Sequence, residues 1–379
     1  MERYDICNDG ADLKLKRTAL KIAACSMPEG QPIGHERARR IEKELNRIEL
    51  FGYAPMFLIL HNLIKDNDVK PYEVISNGLA GSYIAYLLGI SKANPLDKAC
   101  PLYDEICMGV LGESRPSFEL RLSSRAYRAV KGSIPKLPGV AKVYDSDNNV
   151  LQGSDGRITS PKLFLIPDYC NKMPDEFKDK FKQLSSITII DSKWCDQLVE
   201  DVEKYGYFPT EGQIKDPSFL KQAFDCLKSG DQKGKDLRDL FYADTEGFLE
   251  IINACNPETF TDYIKILCLW LGTGVWEGNV KEMIMEEHKP LSEVLTCTED
   301  VYEKLLECDI NRETAFMIAD AVHRGKFFEN NGRYLRILSE RGISNDIIQF
   351  CAKTQYMFSR AHCVGLAYYQ LRLFYYRIM

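Results

Sequence analysis

The sequence predicts an α+β protein. A small mixed or antiparallel sheet with helices packed on it, at about residues 35–192, precedes an all-helical domain at about residues 193–379. Three observations predict this architecture. Residues 116–122 (PSFELRL) alternate polar and apolar side chains, as a half-buried strand does. Residues 187–190 (ITII) form a β-branched strand that ends at Asp191, and from Trp194 onward the pattern is that of helices joined by short loops.

Composition limits the classes of function. Apolar residues make up 45% of the 379 residues and charged residues 27%, which is typical of a soluble globular protein. The net charge is −6, so any nucleic-acid site must be a local basic face. Thirteen cysteines without a C-x-x-C pair indicate reduced thiols in a cytoplasm. No apolar run is long enough for a membrane helix, so we expect a cytoplasmic protein without a membrane partner.

The N-terminal third is predicted to be helical. Residues 1–34 are expected to form a short helix and a linker, and residues 35–65 a long helix that breaks near residues 51–55. Its first half, residues 36–45, carries opposite charges at i,i+4 spacing, which indicates a solvated face. Its second half, residues 56–64, is almost wholly apolar and must be buried.

Residues 76–82 (SNGLAGS) are a turn of small residues that leads into a short apolar helix. Free backbone N–H groups at a helix N-terminus favour an anion such as a phosphate. Gly78, Gly81 and Ser82 are therefore candidate phosphate-binding residues. A tight turn before a core helix is the alternative.

The strand after this turn carries further candidates. Ser117, Glu119 and Arg121 share one face, because strand side chains repeat every second residue. A phosphate cradle beside a strand carboxylate would suit metal-assisted nucleotidyl transfer. A solvated strand face is the alternative.

Residues 76–122 resemble the palm of the bacterial C-family replicative polymerases, the DNA polymerase III α subunit, and most of all its PolC branch. In that family the loop is roughly SRGSxGS and is followed by GIxxxNPL; residues 94–96 keep NPL. The family's strand is roughly PDxDLxF, and its two aspartates hold catalytic metal. Ser117 stands at the first aspartate position and Glu119 at the second.

The third acid of the family's metal site lies in a segment similar to LKLDILG. Residues 187–193 (ITIIDSK) resemble it, and Asp191 matches its aspartate. The resemblance therefore implies Mg²⁺ as cofactor, with Glu119 and Asp191 as the remaining catalytic and metal-binding acids. Arg121 could pair with Glu119 and supply the positive charge in place of the metal. No zinc is expected, because Cys100 and Cys107 lack the second pair of ligands that a tetrahedral site needs.

Residues 121–136 are basic. The side chains that could contact a phosphate backbone are Arg121, Arg125, Arg128 and Lys131. One face of a solvated helix is the equal alternative. Residues 145–149 and 152–156 are predicted hairpin turns.

The thumb of the polymerase is expected to be reduced or absent, at about residues 123–162. Residues 163–169 (LFLIPDY) resemble the VVPDY element of PolC. Far fewer residues separate this element from the aspartate strand than in the family, where the intervening segment grips duplex DNA.

Three later segments resemble the PolC fingers in the family's order. They are residues 272–279 (GTGVWEGN), 322–326 (VHRGK) and 353–362 (KTQYMFSRAH). Four basic residues fall where the family's fingers face the triphosphate or the template: Arg324, Lys326, Arg360 and His362. Solvated helix ends are the alternative for these four. Trp276 and Tyr356 are expected to be core aromatics rather than stacking platforms.

These resemblances predict a segment at 1–34, a palm-like domain at 35–192 and a fingers-like domain at 193–379. The hypothesis is a stand-alone, degenerate PolC-type palm and fingers without polymerase activity that binds a nucleoside triphosphate or DNA. One alternative is a minimal metal-dependent DNA polymerase or nucleotidyltransferase that uses Glu119 and Asp191. Another is a protein-interaction module with neither ligand.

Overall fold

The chain folds into two units in the computed structural model. They are Met1–Met108 with Arg115–Gly206, and Gly109–Ser114 with Tyr207–Met379. The residues that the structure describes are 10–28, 31–76, 78–109, 118–134, 140–144, 162–167, 187–230, 237–240, 246–329 and 332–379. The boundary after Gly206 is later than the predicted start of the helical domain at residue 193. The palm-like and fingers-like assignments stay predictions.

The first unit combines helices with a sheet. Its described α-helices are α1 (Ala11–Cys25), α2 (His35–Phe51), α3 (Ala54–Asp66), α4 (Tyr83–Leu87), α5 (Asp104–Met108), α6 (Ser124–Ser133) and α7 (Lys193–Tyr205). Helix α2 is capped at its C-terminus by Gly52, which has a φ of +69°. Helix α3 begins directly afterwards and has a proline, Pro55, in its first turn. The predicted break near residues 51–55 is therefore present.

The sheet of this unit is mixed. Its strands are β1 (Val74–Ile75), β2 (Glu119–Leu122), β3 (Val140–Tyr144), β4 (Lys162–Pro167) and β5 (Ile187–Asp191). Their order is β1-β2-β5-β4-β3, with β2 and β5 parallel and the other pairs antiparallel. Together with the many helices, this sheet agrees with the predicted α+β class. The turns predicted at 145–149 and 152–156 fall between β3 and β4, outside the described residues.

The core of the first unit lies between α3 and the sheet. Along β2, Leu120 and Leu122 are fully buried, whereas Glu119 and Arg121 are half-buried, as alternation predicts. The Phe118 ring packs edge-on against Phe57 of α3, with ring centroids 5.7 Å apart. The apolar half of the predicted long helix is thus buried where the pattern placed it.

The second unit is helical. Its described α-helices are α8 (Glu211–Ile214), α9 (Pro217–Ser229), α10 (Glu246–Cys255), α11 (Phe260–Leu271), α12 (Lys281–Met285), α13 (Thr298–Glu307), α14 (Arg312–His323), α15 (Arg333–Glu340), α16 (Asn345–Lys353) and α17 (Arg360–Ile378). A π-helical turn, Trp276–Val280, leads into α12. Helix α17 has 15 of its 19 residues buried, so it forms the centre of this unit.

No helix within the described ranges is both long enough and apolar enough to span a bilayer.

Candidate functional site

The polar face of β2, which carries Glu119 and Arg121, contains an ion pair. Arg121 Nε donates to Glu119 Oε1 at 2.7 Å, and the two side chains are 30% and 26% exposed. The guanidinium carbon also lies 5.4 Å from the centre of the Trp194 ring, a cation–π contact that holds it in place. The pairing of Arg121 with Glu119 that the sequence suggested is therefore present, and Glu119 has a positive charge at hydrogen-bonding distance.

The second predicted acid lies elsewhere on the sheet. In the parallel register, Glu119 is opposite Thr188 and Leu122 is opposite Asp191. Residues three positions apart along a strand point to opposite faces and are separated by about 10 Å. The structure therefore does not bring Glu119 and Asp191 together as ligands of one ion. Ser117 lies outside the described residues.

Asp191 faces helix α6. Ser124 Oγ lies 2.7 Å from Asp191 Oδ1 and 2.7 Å from Asp196 Oδ2, and the Ser124 N–H donates to Asp196 Oδ1 at 2.7 Å. Burial lowers the pKa of Lys131, and the charge of Asp191 opposes that shift. Burial and the same carboxylate together raise the pKa of Tyr127 to about 12. Asp191 is therefore held by groups of this chain, with the Lys131 ammonium close enough to feel its charge.

These residues do not fit the Mg²⁺ site that the resemblance implies. Two-ion nucleotidyl transfer requires carboxylates that converge on both ions. Here Glu119 is bound to a guanidinium, and Asp191 faces a serine on the other side of the sheet. Among the described residues, no group of three or more His, Cys, Asp or Glu side chains is placed to hold a metal ion.

The predicted phosphate cradle is filled by a carboxylate of the chain itself. Glu44 of α2 is fully buried, and its oxygens accept hydrogen bonds from Ser82 Oγ at 2.8 Å, Tyr83 N at 2.8 Å and Ile84 N at 3.0 Å. These are the groups at the N-terminus of α4 that a phosphate would use. The interpretation of Ser82 as a phosphate ligand therefore needs correction, because its hydroxyl and the N–H groups that follow it are already bound.

Gly81 has a packing reason to be glycine. A Cβ atom there would lie 2.7 Å from the carbonyl oxygen of Tyr103 and 3.3 Å from Cβ of Cys107. The same segment receives a hydrogen bond from Arg40, whose guanidinium donates to the Gly81 carbonyl at 2.7 Å. This glycine thus allows close approach of α5 and its preceding loop, and a phosphate is not needed to explain it. Gly78, in the turn before it, stays an untested candidate.

The charged face of α2, which was predicted to be solvated, instead forms ion pairs with helix α5. Lys43 Nζ lies 2.8 Å from Asp104 Oδ1 and 2.6 Å from Glu105 Oε1, and Arg47 Nε lies 3.2 Å from Asp104 Oδ2. Burial and the adjacent Glu105 charge raise the pKa of Asp104. Burial acts to raise the pKa of Glu105 as well, but hydrogen bonding to Lys43 lowers it to about 2. The face expected to be solvated is covered by α5.

Sequence reasoning missed Glu44, although a signal was present. Ile41, Glu44 and Ile48 are the buried residues of α2, at the i, i+3, i+7 spacing of one helix face. The i,i+4 pair of Arg40 and Glu44 suggested solvent exposure. The apolar residues on either side of Glu44 along the same face indicated that this carboxylate points inward.

The basic residues of helix α6 contact groups of the chain itself. Arg125 Nε donates to Glu73 Oε1 at 2.8 Å and its Nη1 to Glu203 Oε1 at 3.1 Å. Arg128 Nε donates to the Ser124 carbonyl at 3.1 Å. Because Arg121 and Lys131 face Glu119 and Asp191, three of the four predicted phosphate contacts have an acid nearby. Arg125 and Arg128 are nevertheless exposed, so the phosphate-binding row on this segment stays a prediction.

In the second unit, the three segments that resemble PolC fingers meet. Thr273 N donates to the Tyr356 carbonyl at 2.8 Å, and Met357 N donates to the His323 carbonyl at 3.0 Å. A Cβ on Gly325 would lie 2.1 Å from the carbonyl oxygen of Gln355. The glycine is required by this close backbone approach, so the matching residues form one interlocked structural element.

Arg360 is committed to acids of helix α13. Its Nη2 lies 2.7 Å from Asp300 Oδ1, and its Nη1 and Nη2 each lie 2.8 Å from an oxygen of Glu303. The residue is only 8% exposed. The prediction that Arg360 faces a triphosphate needs correction, because a buried guanidinium with two carboxylate partners is not available to a ligand.

Four rings form a row on this unit, which we call the aromatic row. Successive ring centroids are 5.0, 5.1 and 5.0 Å apart in the order His323, Tyr356, Phe358 and His362. Tyr356 is 40% exposed, so it is not the core residue that the sequence predicted. Trp276 is buried, as expected.

Two exposed cations accompany the aromatic row. Arg324 follows His323, whose ring contacts Tyr356, and its positive charge opposes the rise in the pKa of Tyr356 that burial causes. Arg324 pairs with Asp320 at 3.0 Å and Lys326 with Glu329 at 2.9 Å, and their side chains are 44% and 53% exposed. Aromatic faces and accessible cations therefore occur together here, as in single-strand binding surfaces.

Comparison with known proteins confirms the resemblance to DNA polymerase III. Residues 8–130 match the family described as the bacterial DNA polymerase III alpha NTPase domain. The PolC-type DNA polymerase III of Bacillus subtilis is 24% identical over 98% of this chain and 32% of its own length. The PolC-type enzymes of Lactococcus lactis and Streptococcus agalactiae are 23% and 29% identical, each over 92% of the chain and over 28% and 31% of their own lengths.

This chain spans about a third of the length of the curated relatives it matches. The alignment with the Bacillus subtilis protein is 471 residues long, whereas the chain has 379 residues. The relative therefore contains segments that have no counterpart here.

Proposed function

From its homology with PolC-type DNA polymerase III over nearly the whole chain, we propose that this DNA-polymerase-related protein binds nucleic acid and does not transfer nucleotides at its palm-like sheet. The observation that carries the proposal is the ion pair between Arg121 and Glu119, with Asp191 on the opposite face of the sheet. The contacts of Glu119 and Asp191 support the loss of nucleotidyl transfer, and the aromatic row supports the binding of nucleic acid.

Nucleotidyl transfer depends on charge and position. Acids must hold divalent ions that neutralise the triphosphate, and a shift of about 1 Å can reduce the rate about a hundredfold. Glu119 already has a cation at 2.7 Å, and Asp191 is displaced by about three strand positions relative to it. Both effects oppose the assembly of a metal site.

Binding of nucleic acid is supported by the aromatic row. Stacking of one base on an aromatic side chain contributes about 1–3 kcal/mol and tolerates any sequence. Tyr356 is exposed enough to stack, and Arg324, which follows His323 of the aromatic row and is 44% exposed, can contact a phosphate. The supporting cations are few, so a protein with a net charge of −6 should bind weakly and with only a modest salt dependence at this surface.

The test of transfer is a primer-extension assay with Mg²⁺ and nucleoside triphosphates, run on the native protein and on Asp191→Ala. We expect no extension from either protein. Extension that disappears in Asp191→Ala would instead support the minimal nucleotidyltransferase that uses Glu119 and Asp191.

A metal titration distinguishes the effect of the Arg121–Glu119 ion pair from the effect of the position of Asp191. We expect Arg121→Gln to bind Mn²⁺ no better than the native protein, because freeing Glu119 does not move Asp191 to its side of the sheet. Electron paramagnetic resonance of free Mn²⁺ measures this, with Arg121→Gln/Glu119→Gln as the control. A Mn²⁺ site that appears in the single variant and vanishes in the double variant would contradict the structural argument.

The test of binding uses fluorescence anisotropy of a labelled single strand at low salt. Tyr356→Ala should weaken the affinity at least about fivefold, as expected for loss of one stacked base. Tyr205→Ala is the matched control, because Tyr205 is exposed to a similar degree, 42%, in the first unit. No binding by the native protein even at low salt would reject the proposal and favour a protein-interaction module.

A further inference from the structure

Helix α15 and the residue after it carry three exposed arginines. Arg333 and Arg336 lie on the helix and Arg341 caps its C-terminus. In the described part of the chain, none of the three forms an ion pair, whereas the nearby Arg324 and Lys326 both do. Three exposed cations without an ion pair therefore lie within nine residues of the described chain.

The stability of the helix does not explain these cations. Arg333 is the first residue of α15, where the positive end of the helix dipole disfavours a cation. Gly332 before it has a φ of +73° and provides no side-chain cap. Of the eight residues in the helix, Leu338 is the buried one, so the helix contributes little to the core.

Aromatic residues lie next to the arginines. The Phe327 ring centroid is 5.2 Å from that of Phe328 and 6.4 Å from that of Tyr334, so Phe327 joins Phe328 to the first turn of α15. Phe328 is 57% exposed and Leu335 on the helix is 38% exposed. An exposed phenylalanine beside unpaired arginines gives this surface both charge and a stacking face.

We propose that Arg333, Arg336, Arg341 and Phe328, which we call the basic helix face, bind single-stranded nucleic acid. This inference rests on the proposed function and adds to the aromatic row a second surface for the same ligand. Guanidinium groups form charge-assisted hydrogen bonds with phosphates. From Arg333 to Arg341 the helix and its cap extend about 12 Å, so the three groups can contact successive phosphates of one strand. Phe328 can stack only on an unpaired base, which favours a single strand over a duplex.

The experiment compares two triple variants that remove the same charge. The first is Arg333→Gln/Arg336→Gln/Arg341→Gln. The control is Lys14→Gln/Arg17→Gln/Lys21→Gln, which removes three exposed cations from α1 in the first unit. Affinity for a labelled oligothymidine strand is measured by anisotropy across a salt series that starts at about 50 mM, where surface charges are weakly screened.

We expect the α15 triple variant to lose at least about tenfold in affinity at the lowest salt. Its log affinity should also depend less steeply on log salt, with a slope smaller by about 2, because single-strand contacts contribute about 0.7 each. The α1 control should change affinity less than about twofold with an unchanged slope. Phe328→Ala should weaken binding about fivefold without changing the slope, since stacking releases no counterions.

Equal binding by the α15 triple variant and the native protein would overturn the basic helix face while leaving the proposed function in place. No binding of the strand by the native protein would overturn both. Binding to phosphatidylserine vesicles that depends on the three arginines, without such dependence for the strand, would also overturn the inference and assign the face to a membrane surface. Circular dichroism checks that the variants are folded. If the triple variant does not fold, Arg336→Gln and Phe328→Ala give the slope and affinity readouts separately.

Discussion

At the scale of single residues, Glu44 determines what the small-residue loop can bind. Its carboxylate accepts from Ser82 Oγ, Tyr83 N and Ile84 N, and it pairs with Arg40 at 2.5 Å. A helix N-terminus that looks like an anion site in the sequence is thus neutralised from within the fold.

Replacement of Glu44 by alanine should destabilise the first unit. The change would leave Arg40 with only the more distant Asp104, at 3.7 Å, as a carboxylate partner and would leave the N–H groups of α4 unsatisfied. We therefore expect a loss of about 3–5 kcal/mol in the free energy of unfolding. Urea unfolding followed by circular dichroism measures this. Glu42→Ala, two residues earlier on the exposed side of α2, is the control and should change the free energy by less than about 0.5 kcal/mol. Equal effects of the two substitutions would contradict the role of Glu44.

His323 should make stability depend on pH. Burial lowers its pKa below the ordinary value, and its Nδ1–H donates to the Met357 carbonyl. Because the folded state binds the proton less well than the unfolded state, this contribution is fully present above about pH 6.5 and is lost as the pH falls toward the folded pKa. The native protein should therefore lose more unfolding free energy between pH 7.5 and 5.5 than His323→Gln does. Identical pH profiles for the two proteins would rule this out.

At the scale of elements, parallel pairing of β2 with β5 decides the chemistry of the sheet. Each strand is read correctly by its own alternation, since Leu120 and Ile189 are buried opposite each other. Only the register between the strands places Asp191 beside Leu122 and away from Glu119. Which acids meet is therefore a property of the pairing rather than of either strand.

A prediction at this scale concerns the interlocked element of the second unit, in which Gly325 packs against the backbone of Gln355. Gly325→Ala should destabilise the protein about 1–3 kcal/mol more than Gly342→Ala. Both glycines have positive φ, +67° and +69°, so the backbone strain is matched. Only at Gly325 would the new Cβ collide with a backbone, the Gln355 carbonyl oxygen at 2.1 Å. Chemical denaturation measures both variants, and equal losses would show that the close approach is not rigid.

At the scale of the whole molecule, the net charge and the predicted shortening of the thumb both argue against tight binding of duplex DNA. The net charge is −6, which opposes the approach of a polyanion. The predicted shortening of the thumb, at about residues 123–162, would remove phosphate contacts that hold a duplex.

The native protein should therefore bind a labelled duplex no more tightly than one of its separate strands. We expect the two affinities to agree within about twofold, or to favour the single strand, at every salt concentration tested. Anisotropy with both ligands in the same buffer measures this. A duplex affinity tenfold higher would indicate a duplex-binding surface outside those described here.

The sequence by itself determined the local features of this protein. Alternation identified β2, the apolar run of residues 56–64 identified the buried half of the helix pair, and the ordered motifs identified the relation to DNA polymerase III, which the comparisons confirm. These features depend on residues that are close in sequence, and their periodicity can be recognised from the sequence alone.

Only the tertiary structure decided which charges are free. Glu44 meets Ser82, Glu73 meets Arg125 and Asp300 meets Arg360 across separations of 38 to 60 residues. Arg125 and Arg360, which looked available in the sequence, pair with these distant acids, whereas the exposed arginines of α15 form no ion pair with a described residue. Periodicity shows which face a residue is on, but the partner on that face depends on how remote segments pack.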